Sequence, residues 1–167
     1  MSAIFKKAQS SDIDRILALA KRTVDRSYRD FLENFTVDKY LRSKHLETFL
    51  ENYIKNTWIL SKDNTLLGFS LCIDNVIDFM MIDVDHHRQG YGAILLKHCE
   101  NLLFNNYNVI ALESFEENII ARNFYLANNW INTETYRDPR ANAVKIIFRK
   151  QLHTTIEQQR MAAIGKY

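Results

Sequence analysis

A mixed α/β (α+β) domain, with a mostly antiparallel central sheet flanked by helices, is the fold that the sequence predicts, and three observations predict it. Between Thr57 and Val84, short apolar runs of strand texture alternate with brief polar turns. On either side of that block, apolar residues recur at helical spacing. Directly after it come Gly90 and Gly92, two of only four glycines in the chain, where a strand gives way to a helix.

The elements follow in order. Ala3-Ile4-Phe5 reads as a short first strand, and Ser11-Asp12 offers a cap to a helix with Ile13, Ile16, Leu17 and Ala20 on one face. After a polar interruption at Ser27-Tyr28-Arg29, the anchors Tyr40, Leu41, Phe49 and Leu50 predict a second helix from Val37 to about Ile54. Trp58-Ile59-Leu60 is a strand, Lys62-Asp63-Asn64 a turn, and Leu66 to Ile73 a second strand. Asp74-Asn75 is another tight turn, and Val76 to Val84 a third strand, so this block is a hairpin meander. Beyond the glycines, Ala93 to Phe104 carries Leu95, Cys99, Leu102 and Leu103 on one helical stripe. Val109 to Ser114 is a strand and Asn118 to Asn128 a helix; two strands close the chain near Ile131–Tyr136 and Val144–Arg149, joined by the Arg137–Ala143 loop. Residues 1–150 then form one domain, and 151–167 a tail that either docks as a short helix or frays.

Bulk properties narrow the function classes. A chain of 167 residues can bury a core without metals or disulfides. Its formal charge of +2 is too small to argue for nucleic acid. No apolar run approaches a membrane span, and Lys6-Lys7 is followed by no secretory pattern. Cys72 and Cys99 lie in apolar runs and read as buried reduced thiols, which fits a cytoplasmic protein.

The loop His87-Arg88-Gln89-Gly90-Tyr91-Gly92 is the richest local signal. Glycine lets backbone approach a ligand at positive φ, and free N–H groups at a helix start favour negative charge. A pyrophosphate could rest there, although a plain tight turn has the same look. There is no Gly-Lys-Ser/Thr ending, as a nucleoside-triphosphate loop requires, and no third glycine of a dinucleotide fold.

With its flanks, the loop resembles that of the GNAT superfamily of acyl-CoA-dependent N-acetyltransferases. The run Met80-Met81-Ile82-Asp83-Val84-Asp85-His86-His87-Arg88-Gln89-Gly90-Tyr91-Gly92 is similar to the family's strand, Arg/Gln-x-x-Gly-x-Gly/Ala loop and helix. Asn118-Ile119-Ile120-Ala121-Arg122-Asn123-Phe124-Tyr125, ending at Asn129-Trp130, resembles its second block, Asn-x-x-Ala-x-x-Phe-Tyr-x-x-x-Gly-Phe. His87 stands where the family has Arg or Gln, Val84 where it has Pro, and Asn129 where it has Gly. Asparagine is the next-best residue for a left-handed helix end.

The resemblance implies a GNAT-type fold and acetyl-CoA as cosubstrate, with no metal. It implies that the Ile82, Asp83 and Val84 backbone pairs with the pantetheine arm. The N–H groups of Arg88, Gln89, Gly90, Tyr91 and Gly92 would hold the pyrophosphate, with His87 and Arg88 adding side-chain contacts. Tyr125 would be the general acid for the departing thiolate, and Asn118, also a helix cap, would lie near the cofactor. Asp78 and Glu113 are the candidate bases, because an ammonium must lose a proton before it can attack. Tyr28, Arg29 and Phe31 fall where the acceptor pocket is shaped, with the Arg137–Ala143 loop as its opposite wall.

Each assignment has a plainer counterpart. Tyr125 also suits a core position, Arg88 a solvated surface, and Asp78 and Glu113 ordinary strand positions. His86 and His87 beside Asp83 and Asp85 suggest a metal only faintly, since no third spaced ligand follows. Arg22, Arg26 and Arg29 form a stripe that is either a solvated face or a preference for an acidic substrate. The expected activity is transfer of an acetyl group to a primary amine of a small molecule, peptide N-terminus or lysine. A non-catalytic acyl-CoA-binding or regulatory module is the alternative. No nucleic-acid or membrane partner is expected, and a homodimer is left open.

Overall fold

The computed structural model describes residues 3–152. Seven strands form one sheet: β1 (Ile4–Lys7), β2 (Thr57–Lys62), β3 (Thr65–Ile73), β4 (Val76–Ile82), β5 (Val109–Phe115), β6 (Ile131–Asp138) and β7 (Ala143–Gln151). Their order across the sheet is β1-β2-β3-β4-β5-β7-β6. Every neighbouring pair is antiparallel except β4–β5, which is parallel. Five helices complete the fold: α1 (Ile13–Ser27), α2 (Asn34–Arg42), α3 (His45–Tyr53), α4 (Tyr91–Phe104) and α5 (Ile119–Ala127).

The hairpins follow from their turn residues. Asp63 and Asn64 both adopt positive φ, 49° and 65°, the backbone that a two-residue turn between twisted strands needs. Asp74 at φ 51° turns β3 into β4. Leu19, Ala20 and Val24 of α1, with Val37, Leu46 and Leu50 of α2 and α3, bury against Ile59, Phe69, Leu71 and Met81 on one face of the sheet. Leu96, Cys99 and Leu103 of α4, with Tyr125 of α5, bury against Ile77, Ile110, Leu112, Ile146 and Phe148 on the other. Cys72 and Cys99 are free thiols within that second core.

Two boundaries differ from the sequence expectation. The helix predicted from Val37 to Ile54 is two helices, because Ser43 leaves the helical region at φ −72°, ψ 150°. Its hydroxyl donates to the Tyr40 carbonyl, a local bond that competes with the helical ladder. β4 stops at Ile82 rather than Val84, and residues 84–86 form a tight turn instead. The tail assigned to 151–167 falls, from 153 onwards, outside the described residues.

Gly68 of β3 sits opposite Ile82 of β4. A Cβ there would lie 2.6 Å from the Met81 carbonyl oxygen and 2.6 Å from Ile82 Cδ1. Gly68→Ala must therefore push β4 away from β3, and the expected loss is about 1–3 kcal/mol of stability. Chemical denaturation of the variant reads that loss; a transition coincident with the parent would show that β4 tolerates the added methyl.

Candidate active site

The parallel pair β4–β5 is where the sheet opens. Only Val76↔Ala111 and Ile77↔Leu112 are in register. Beyond them β4 keeps pairing with β3 as far as Gly68↔Ile82, while β5 keeps pairing with β7 as far as Phe115↔Lys145. Each strand follows its antiparallel neighbour, so a notch opens in the middle of the sheet. At its closed end β4 bulges: Leu71↔Phe79 is followed by Cys72↔Ile77, leaving Asp78 as the extra residue. Ile77, Met80 and Ile82 contact the cores on the α4 side, and Phe79 and Met81 the core under α1. Strict alternation would group Asp78 with Met80 and Ile82, and the bulge interrupts it, a device that re-aims a side chain.

The backbone of β4 meets the notch at alternate residues. Asp83 donates its N–H to the Leu67 carbonyl, towards β3. A trans peptide directs its carbonyl opposite its N–H, so the Ile82 carbonyl faces the notch. Residues alternate along a strand, so Met80 shares that direction. Of the trio Ile82, Asp83 and Val84 expected to pair with an extended ligand, only Ile82 faces it. Val84 gives its N–H to Thr23 Oγ1 at 3.1 Å, and Asp85 gives its N–H to Asp83 Oδ1 at 3.1 Å.

These bonds staple α1 to the loop. Arg22 pairs with the buried Asp83, and Arg26 with Asp85. Burial alone would raise the Asp83 carboxyl, but the Arg22 guanidinium and the Asp85 N–H outweigh it and hold the group below the usual carboxylate range. Arg29 pairs with Asp25, Asp38 and Asn34. All three arginines stay exposed, so the stripe is the solvated face of the plainer reading, with its guanidiniums paired to carboxylates of the protein itself.

The glycine loop has the backbone that its sequence requires. Gly90 has φ 84° and Arg88 φ 59°, so two left-handed residues turn the chain into α4. Among the described residues, the N–H groups of Arg88 to Ala93 have no protein acceptor. Such consecutive N–H groups at a helix start form an anion-binding concavity. The Arg88 side chain is exposed and forms no ion pair among the described residues. Gln89 reaches the Asp85 carbonyl at 3.4 Å, and Tyr91 packs against the core. His87 turns inward: its Nε2 lies 2.9 Å from the Ile82 carbonyl oxygen. Among the described residues, no group of three or more His, Cys, Asp or Glu side chains could hold a metal ion.

Tyr125 projects from α5 into the core beside Phe124, Trp130 and Phe148. Burial pushes its phenol well above the ordinary tyrosine value, and the Tyr28 phenol adds to the rise. Asn118 caps α5, its Oδ1 accepting the Ala121 N–H at 3.1 Å. Asn129 ends the same helix at φ 62°, the left-handed position for which asparagine substitutes for glycine.

Asp78 and Glu113 are the first residues on β4 and β5 past the last paired register. Partial burial raises the Asp78 carboxyl, and the Glu113 and Asp74 charges add to it against the Ile73 N–H that it accepts at 3.2 Å. Glu113 Oε2 is taken by the Tyr136 hydroxyl at 2.9 Å and by Lys145 Nζ at 3.3 Å. Of the two carboxylates, Asp78 is the freer to accept a proton.

Across the mouth of the notch lies a cavity of about 360 Å³, lined by Phe31, Leu32 and Glu33, by Phe115 and Glu117, and by the β6–β7 hairpin from Arg137 to Val144. Phe31 lines it from one side, and Arg137 with residues 141–144 from the other. Tyr28 supports it from behind, its ring 5.0 Å from Phe31 and 6.0 Å from Phe115 between centroids. Arg29 does not line it, since its guanidinium is held on the outer surface of α1 and α2. Sequence reasoning passed over Phe115, Glu33 and Glu117. The signal for the first was available: Phe115 ends the strand that leaves its partner, so it borders the opening.

A family model described as acetyltransferase (GNAT) family matches residues 12–129. Among solved structures, a GCN5-related N-acetyltransferase from Rhodopseudomonas palustris superposes with a TM-score of 0.78 at 13% identity, covering 91% of this chain and 97% of that one. The PaiA N-acetyltransferase from Thermoplasma acidophilum, in complex with coenzyme A, gives 0.76 at 19% identity, covering 91% and 100%. The alanine N-acetyltransferase of a ribosomal protein from Escherichia coli gives 0.65 at 16%, covering 92% and 96%. At these identities the likeness is one of fold. Among curated proteins, none matches the chain by sequence.

Proposed function

This chain belongs to the acetyltransferase (GNAT) family, and on that premise we propose that it transfers an acetyl group from acetyl-CoA to a primary amine by direct attack. The observation that carries the reading is the notch. A parallel strand pair held by two registers opens between a loop of free N–H groups and an aromatic cavity. One end thus suits a pyrophosphate, and the other suits an organic acceptor.

The described residues fit the cosubstrate. The N–H groups of Arg88 to Ala93 form the anion cradle, Arg88 supplies an uncommitted guanidinium beside it, and the outward edge of Met80 and Ile82 matches the amides of a pantetheine arm. Bound there, acetyl-CoA supplies an activated thioester. Asp78, raised by its surroundings, accepts the proton that the acceptor ammonium must lose. Tyr125 offers its hydroxyl to the sulfur as negative charge develops. Phe31 and Phe115 hold the body of the acceptor, and excluding water there strengthens both contacts. Cys72 and Cys99 are buried in the core, so the reading uses no acyl-enzyme.

The test is a thiol-release screen of the purified protein with acetyl-CoA against small polyamines, aminoglycosides, peptides with free N-termini and lysine peptides. Amine-dependent release of CoA is the expected result. Tight CoA binding with no release across the panel would replace this reading with the non-catalytic binding module.

A further inference from the structure

We infer that His87 is a built-in stand-in for the pantetheine arm, closing the β4 edge in the free protein and leaving when the cosubstrate arrives. The inference rests on the cosubstrate reading above and concerns a side chain at which this sequence departs from the family pattern. An open strand edge inside a sheet is an unusual place for backbone. Ile82 is buried, at 8% exposure, so its notch-facing carbonyl would lose water without gaining a partner. His87, five residues on, supplies that partner at 2.9 Å. A carbonyl can only accept, so Nε2 must carry the hydrogen and donate it. An amide N–H of an extended arm paired with β4 makes the same kind of bond to the same oxygen. The oxygen has two lone pairs, but the ring, 2.9 Å from it, stands where the arm would approach, so the two donors compete.

The His87 residue is otherwise exposed, and its ring has no second hydrogen-bond partner among the described residues. It can therefore turn into solvent without breaking a further hydrogen bond to the described residues. The loop can keep its form as it does so. The left-handed turns at Arg88 and Gly90 are set by backbone, and the Asp83 and Val84 bonds to α1 lie upstream. What binding must break is one hydrogen bond, so the ring acts as a weak competitor of the arm.

Titration calorimetry of the full-length protein and of His87→Ala tests this with two probes. CoA carries the arm; adenosine 3′,5′-bisphosphate carries only the nucleotide end. The expected result is CoA binding roughly 2- to 10-fold tighter in His87→Ala, the worth of one net hydrogen bond, with the bisphosphate unchanged. Equal weakening of both probes would make His87 a phosphate ligand and overturn the inference, as would unchanged or weaker CoA binding alone. Failure of the parent protein to bind either probe would overturn the cosubstrate reading itself. A second readout needs no variant. The ¹⁵N resonance of His87 Nε2 should lose its hydrogen-bonded shift on saturation with CoA and keep it with the bisphosphate; retention of that shift with CoA bound would overturn the inference.

Discussion

Tyr125→Phe should lose about 10²–10³-fold in turnover while binding CoA as the parent does, a loss of the size that follows removal of one donor to a developing anion. The surroundings of the phenol decide what kind of loss this is. Burial holds Tyr125 above the ordinary tyrosine value near 10, whereas a free thiol ionises near 8.5. The phenol is thus a weaker acid than a free thiol, and outright proton transfer to a departing sulfur would run uphill. In the proposed reaction its contribution would be a charge-assisted hydrogen bond to the thiolate, with the proton reaching sulfur later. Stability should change little, because no hydrogen bond to the Tyr125 hydroxyl is present among the described residues and the ring contacts with Trp130 and Phe148 survive in Phe. Steady-state kinetics with an acceptor from the thiol-release screen, beside CoA titration, measures both quantities. Full activity in Tyr125→Phe would remove the phenol from the mechanism.

What the sequence discloses about this protein divides by range. Features set within a few residues were legible: the positive-φ turn at Asp63-Asn64, the asparagine at the left-handed end of α5, and the glycine turn into α4. The break at Ser43 was missed because its cause is one side-chain bond that the apolar spacing of Tyr40, Leu41, Phe49 and Leu50 does not register. The notch is different in kind. It exists because β4 follows its hairpin partner β3, at most 14 positions away, while β5 follows β7, from 30 to 42 positions away. The hold of Arg22 on Asp83 and of Thr23 on the Val84 N–H spans 61 residues in each case. No local pattern announces that Val84 is already spent. The family motif singles out the loop, and only tertiary structure shows which of its backbone groups are free among the described residues.

The same logic explains why the bulge matters. Without the extra residue at Asp78, strict alternation would continue through β4, and position 78 would share the face of Met80 and Ile82 under α4. With it, the exposed Asp78 carboxylate accepts the Ile73 N–H of β3 and stays within electrostatic reach of Glu113. The irregular ladder is thus the local feature that takes the proposed base off the face under α4.

The largest loss of stability should come from Glu100→Ala, far from this chemistry. Glu100 is 3% exposed on α4 and accepts from the Trp130 indole N–H at 2.9 Å and from Lys150 Nζ at 2.7 Å. One carboxylate thus ties α4 to the start of β6 and the end of β7. Removing it leaves a largely buried ammonium whose remaining bond is to the Asn128 carbonyl, at 2.8 Å, and an indole donor with nothing to bind. Breaking one side of such a pair costs about 3–5 kcal/mol, a large share of the roughly 5–15 kcal/mol that holds a domain folded. For a domain of this size each kcal/mol lowers the midpoint by about 2–4 °C, so a fall of at least several degrees is expected in thermal unfolding. The penalty belongs to the stranded charge rather than to the lost attraction. Glu100→Met combined with Lys150→Met should therefore recover much of the stability that Glu100→Ala loses. If the double replacement is instead as unstable as the single one, the carboxylate contributes through the Trp130 bond, and the charge pair is secondary.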